Sequence, residues 1–283
     1  MSTRVPIPDS ILQRKGARTT AEVPAEVRRL LNQGLLESAN LCEWLVIDQL
    51  VLAENVLPQL GWSKLLPPIR AGLAALKTPT APKRTELVGR TLALAFPEAP
   101  AFHRAVQTLR ASRSDVVRSW AAYMVGLRPG LTLADKLEHL RPLAADPNMG
   151  VREMAWFAVR ESIAAELPLA LDLLTAFARD PDPNLRRFAS EATRPRGVWC
   201  RHLTPLKTNP IPGLVLLEPL KSDPSLYVRN SVANWLNDAS KSCPDWVRSV
   251  CRRWEQESPT RETAYIVRRA QRTLNKTAAP GLR

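Results

Sequence analysis

The sequence has little from which to build a metal centre, a disulfide framework or a membrane anchor. Its 283 residues include only four cysteines and three histidines. Cys42, Cys200, Cys243 and Cys251 form no CxxC pair, and His103, His139 and His202 match no zinc spacing, so neither a metal nor another cofactor is expected. Isolated thiols of this kind point to a reducing compartment, the cytoplasm. No apolar run approaches the roughly 18 residues of a membrane span. The opening "MSTRVPIPDSILQRKGARTT" lacks the apolar core of a signal peptide. Alternating strand-like segments are nearly absent, which argues against a sheet protein.

What the chain has in excess is positive charge. Forty Lys and Arg stand against 27 Asp and Glu, a formal net charge of +13. That surplus favours a polyanion, because neutralising phosphates releases their counterions. With 45% hydrophobic residues the chain can also bury a continuous core. Residues 1–22 read as a flexible basic arm, either ordered on contact with a partner or inert. Residues 23–283 read as one helical domain, expected to act as a monomer.

A repeat organises that domain. "ADPNMGVREMAWFAVR", "RDPDPNLRRFASEATR" and "SDPSLYVRNSVANWLN" each place Asp-Pro ahead of an apolar residue and an arginine, with Asp six positions before Arg. The arginines are Arg152, Arg186 and Arg229; "ASRSDVVRSWAAYMVG" adds Arg118, and a degenerate last copy adds Arg268. The first three spacings are 34, 34 and 43 residues. Asp-Pro before an apolar-periodic stretch predicts a helix start, with Asp as cap and Pro in the first turn. A second apolar stretch lies upstream of each, so every unit is a helix pair and stacked pairs bury what one pair cannot. The fold expected is an all-α, HEAT-like helical-repeat solenoid, clearest over residues 110–270. An N-terminal helical bundle caps it, joined through "KTPTAPKRTE" as a loop.

At 100° per residue, positions −1, +2, +3 and +6 from each repeat arginine share one side. They hold Val151, Met154, Ala155 and Ala158, then Leu185, Phe188, Ala189 and Ala192, then Val228, Ser231, Val232 and Trp235. This is the predicted buried stripe, and it makes Trp235 a core residue. Positions 0, +1, +4, +5 and +8 face the other way. They carry Arg152, Glu153, Trp156, Phe157 and Arg160, then Arg186, Arg187, Ser190, Glu191 and Arg194.

Two readings of that face stand side by side. The repeat arginines either pair with an aspartate of the neighbouring repeat or join Arg160, Arg187 and Arg194 in a basic stripe. Trp156 either packs on the next repeat or stacks on a sugar or cationic base. Trp199, just past the helix after "RPRG", is suited to line a pocket. Glu191 either pairs with Arg187 and Arg194 or is a carboxylate retained on a phosphate-binding wall for its chemistry.

At "FAVR" (157–160), "RRFASEATRPRGVW" (186–199) and "LLEPLKSDPSLYVRNSVANWLNDASK" (216–241) the sequence resembles the AlkC/AlkD superfamily of HEAT-repeat alkylpurine DNA glycosylases, and within it the AlkC branch. The resemblance implies removal of positively charged alkylated bases, of 3-methyladenine, 3-methylcytosine or 7-methylguanine type, from duplex DNA without deep base flipping. It makes Glu191 the catalytic carboxylate, with Glu153 as a second candidate, and Trp156 and Trp199 the walls of the lesion nucleotide. Arg152, Arg160, Arg187, Arg194, Arg196, Arg229 and Asn230 become DNA phosphate contacts. One departure stands out. The branch carries Ser-Ser-Glu ahead of the phenylalanine, whereas "MAWFAVR" puts Trp156 where that glutamate belongs. The immunoglobulin-like domain found in part of the branch is not expected after Arg283. A non-catalytic HEAT protein that recognises damaged or branched DNA is the alternative reading, and a protein-binding scaffold the third.

Overall fold

A computed structural model of the protein describes residues 7–197 and 200–277. Every regular element among them is helical. The helical-repeat architecture with an N-terminal helical cap is the one its periodicity predicts. The chain gathers into two compact units, one holding the residues up to Leu131 with Asp146–Ala158, the other Thr132–Ala145 with the residues from Val159 onward.

The first unit packs around the Asp115–Gly126 helix, every residue of which is buried. The Ala81–Ala95 helix lies against it so closely that a Cβ on Gly89 would meet the Tyr123 Cβ at 2.3 Å. Only glycine allows that approach. Trp120 fills the interior and donates its indole N–H to Gln49 Oε1 at 2.7 Å, satisfying two buried polar groups at once. Two expectations are corrected here. The segment 81–86 of "KTPTAPKRTE" opens the Ala81–Ala95 helix, with Pro82 in its first turn, where no N–H is needed. The expected arm is anchored from residue 7 onward: it forms the Asp9–Leu12 helix, and Arg14 holds the buried carboxylate of Glu43 and the Glu37 carbonyl.

The second unit repeats a simpler plan, in which inner helices Pro183–Ala192, Leu226–Ser240 and Arg261–Ala270 follow outer ones such as Leu167–Ala178 and Pro244–Glu257. Trp235 is fully buried, as its stripe position predicts, and its N–H donates to the Thr193 carbonyl at 3.0 Å.

The repeat arginine and aspartate have a shared geometry. Nη1 of Arg118, Arg152, Arg186 and Arg229 donates to the two carbonyls six and five residues earlier, at 2.6–3.0 Å. Each arginine thereby closes the turn that leads into its own helix. The aspartate does not cap the helix, as the Asp-Pro pattern suggests. Asp146, Asp180 and Asp223 accept the N–H two residues on, each at 2.8 Å, in a turn that precedes the helix. Among the prolines of the three Asp-Pro repeats only Pro183 occupies a first helical turn, behind the cap Asp182.

The remaining edge of the arginine reaches the next repeat. Arg118 grips Asp146 at 2.8 and 3.0 Å, and Arg186 grips Asp223 at 2.6 and 3.1 Å, each through Nε and Nη2. Such two-point pairs fix both distance and orientation. The last copy departs from this plan. Its helix begins at Arg261, so Ala264 and not Arg268 stands where the earlier helices carry their arginine, and Ser258 stands in place of the aspartate.

Candidate active site

In the second unit the Pro183–Ala192 helix brings Arg187 and Glu191 to one side, with Arg194 just past its end. That side does not face solvent. The neighbouring Leu226–Ser240 helix supplies Ser231 and Asp238 against it, so Glu191 is only 4% exposed. One carboxylate oxygen accepts from Arg194 at 2.7 Å; the other accepts from the Ser231 hydroxyl at 2.6 Å, with Arg187 at 3.5 Å. Burial alone would push the pKa of Glu191 up, but the guanidiniums of Arg187 and Arg194 and the Ser231 hydroxyl outweigh it and hold the carboxyl below its usual range. The result is a buried carboxylate biased toward its ionised form and held in a fixed position.

Arg194 is the hub of the cluster. Beyond Glu191 it holds the buried Asp238, through Nε at 2.9 Å and Nη2 at 2.8 Å. Arg196 approaches the same place, donating to the Asp238 carbonyl at 3.2 Å and to Ser242 at 2.7 Å. Arg187 lies over the Tyr227 ring, 4.3 Å from its centroid. Sequence reasoning missed two members. Ser231 was placed in the apolar stripe, where a buried hydroxyl itself signals a partner. Asp238 lies inside "SVANWLND" without a role having been assigned to it.

Two expected wall residues are interior. Arg160 is 2% exposed and donates to the carbonyls of Ala192 and Arg194, both at 2.5 Å, and of Arg201 at 3.2 Å. It satisfies the acceptors that the Pro183–Ala192 helix leaves open at its end. That use of its donors corrects its reading as a phosphate contact. Trp156, 5% exposed, is likewise not on an open charged face: its indole stacks on Phe157 at 4.1 Å between centroids and donates to Glu153 at 2.9 Å. Helical side chains lean toward the preceding turn, which brings the +4 indole onto the +1 carboxylate. Glu153, Trp156 and Arg152 belong to the first unit, and Arg152 closes the Asp146–Pro147 turn. Asn230 accepts the Tyr265 hydroxyl hydrogen at 2.7 Å. Trp199 lies outside the described residues.

Other chemistries find little support among the described residues. No group of three or more His, Cys, Asp or Glu is arranged to hold a metal ion. Burial pushes the thiol of Cys200 up, and that of Cys251 to about 11, so neither is an activated nucleophile. No helix is long and apolar enough to cross a membrane.

No family model matches the chain. Over 120 residues it is 42% identical to YhaZ, an uncharacterised protein of Bacillus subtilis, a match that covers 42% of this chain and 33% of YhaZ. Among solved structures it is similar to the alkylpurine DNA glycosylase AlkC of Pseudomonas fluorescens bound to DNA containing an abasic site analog. That likeness has a TM-score of 0.61 and 30% identity, over 74% of this chain and 56% of AlkC. AlkD2 of Streptococcus mutans shares the fold, with a TM-score of 0.54 and 24% identity over 72% of this chain and 98% of that one. The chain thus spans about a third of YhaZ and little more than half of AlkC.

Proposed function

The chain belongs to the AlkC/AlkD superfamily of helical-repeat alkylpurine DNA glycosylases, and on that premise we propose that it hydrolyses the N-glycosidic bond of positively charged alkylated bases in duplex DNA. An alkylated cationic base leaves with the bonding electrons as a neutral molecule, so no acid is required to protonate it. The enzyme then needs to favour the cation that develops on the sugar and to direct a water oxygen to C1′. A fixed carboxylate does both electrostatically.

Glu191 supports this reading through one observation: it is buried and yet ionised, held by Arg187, Arg194 and Ser231. Its low proton affinity suits a charge stabiliser better than a proton carrier. Arg196 and Arg229, with Asn230, are assigned to the phosphates on either side of the lesion, while Arg187 and Arg194 hold the carboxylate. Trp199 is assigned to the lesion nucleotide, and base release proceeds without deep base flipping.

The same carboxylate also favours a second reading. Both of its oxygens are engaged by protein groups, which is what a purely structural ion pair requires. A DNA-binding protein that recognises damage without cutting the glycosidic bond would look the same here. Incubating wild type and Glu191→Gln with methylated duplex DNA, and identifying freed bases by chromatography, separates the two. Release by wild type and its loss in the variant supports the glycosylase. Duplex binding without release by wild type leaves the binding protein.

A further inference from the structure

The ladder of arginines and aspartates ends on an open rung. Arg118 and Arg186 each direct Nε and Nη2 to a carboxylate of the following repeat. Arg229 closes its own turn in the same way, through the carbonyls of Asp223 and Pro224. The repeat that follows it offers Ser258 where an aspartate would stand, and the hydroxyl of Ser258 is engaged with Thr263 at 3.2 Å. The Nε of Arg229 is consequently buried and has no acceptor.

The surroundings add cations, not the missing carboxylate. Arg229, Arg268 and Arg269 all gather on the ring of Tyr265, at 5.5, 5.6 and 5.5 Å from its centroid. The Nε of Arg269 is also buried without an acceptor. Among the described residues no Asp or Glu pairs with any of the three. A little further along, Arg272 donates to Asn234. A buried guanidinium donor without a partner carries a free-energy penalty that an oxyanion removes. The Tyr265 hydroxyl donates to Asn230 at 2.7 Å, which fixes the ring among the three guanidiniums.

We propose that this open rung, formed by Arg229, Arg268 and Arg269 around Tyr265, is an oxyanion site that takes a phosphate of a nucleic-acid backbone. The identity of the polyanion rests on the function proposed above; the vacancy in the ladder does not. A tetrahedral phosphate presents two oxygens to the planar Nε–Nη2 edge as a carboxylate does.

Binding of undamaged duplex DNA, measured across salt concentrations, tests the proposal without reference to base release. Arg269→Gln and Arg268→Gln are each expected to weaken binding several-fold at low salt. If one phosphate contact is lost, the slope of log affinity against log salt decreases by about 0.9. Arg186→Gln is the control, since its fork is already closed by Asp223: it lowers the melting temperature and leaves the slope unchanged. At constant ionic strength, inorganic phosphate is expected to raise the melting temperature of wild type more than that of Arg269→Gln. Unchanged slopes in folded Arg268→Gln and Arg269→Gln overturn the proposal. Stabilisation by phosphate with no change in duplex binding overturns the nucleic-acid assignment. Altered slopes in a wild type that releases no base would leave the open rung standing and remove only the glycosylase reading.

Discussion

The Ser231 hydroxyl donates to Glu191 at 2.6 Å and joins two successive inner helices through a buried carboxylate. The same carboxylate holds Arg194, which in turn holds Asp238. On the glycosylase reading chemistry and folding depend on the same atoms, and variants that change charge without changing shape separate the two.

Glu191→Gln keeps the shape and removes the charge. Base release from methylated DNA is expected to fall by about 10²-fold or more, the scale of one lost preorganised electrostatic contact. Arg187 and Arg194 lose their shared anion, so stability should also fall, by roughly 1–3 kcal/mol. Ser231→Ala is the companion: it costs about 1 kcal/mol and leaves the carboxylate ionised. Release per folded molecule, with folding followed by urea denaturation, should survive in Ser231→Ala alone.

Arg160→Gln should behave as a structural variant. Its donors satisfy the end of the Pro183–Ala192 helix, so the melting temperature falls. The salt dependence of duplex binding stays that of wild type. A flatter salt response in a folded variant would return Arg160 to the phosphate contacts.

Duplex binding itself should be steeply salt-sensitive. With about six phosphates neutralised, affinity falls about 10³-fold between roughly 50 and 200 mM salt. A flat response removes the nucleic-acid reading.

Asp115 should leave a signature in stability against pH. Burial pushes its carboxyl from 3.8 up to about 6, against the opposing pull of two Ser38 hydrogen bonds and of Arg118. The folded state therefore binds this proton more tightly than the unfolded chain does. The group's contribution is full below about pH 4, is lost as pH rises toward 6, and is constant above. A shift of two units corresponds to roughly 3 kcal/mol. Asp115→Asn stays neutral and lacks this slope, so wild type should lose stability relative to the variant between pH 4 and 7. Paired melting curves across that range check it, and parallel curves would contradict it.

The two-point pair of Arg186 and Asp223 should couple strongly. In a double-mutant cycle with alanine, an interaction of about 1–3 kcal/mol is expected from urea denaturation. Additive losses would mean that the ladder guides geometry without adding stability.

Much of this protein is written locally. The period, the Asp-to-Arg spacing and the 3.6-residue apolar stripe specify helix pairs that must stack, because turns and helix faces depend on residues only a few positions apart. Trp235 in the core and the pairing of Arg186 with the next repeat's aspartate follow from that pattern. The family was legible too, in "RRFASEATRPRGVW" and "SVANWLND". Tertiary structure decided which polar residues stay open. A helical wheel assigns one inner face, but an inner helix packed between neighbouring repeats has flanks as well. Glu191 is enclosed by Ser231, 40 residues away, and Arg160 by the end of a helix 32 residues on. The register of the last repeat, which leaves Arg229 without its aspartate, also emerges only when the helix is seen to begin at Arg261. Burial depends on what the next repeat brings, and one helix's sequence does not contain its neighbour's side chains.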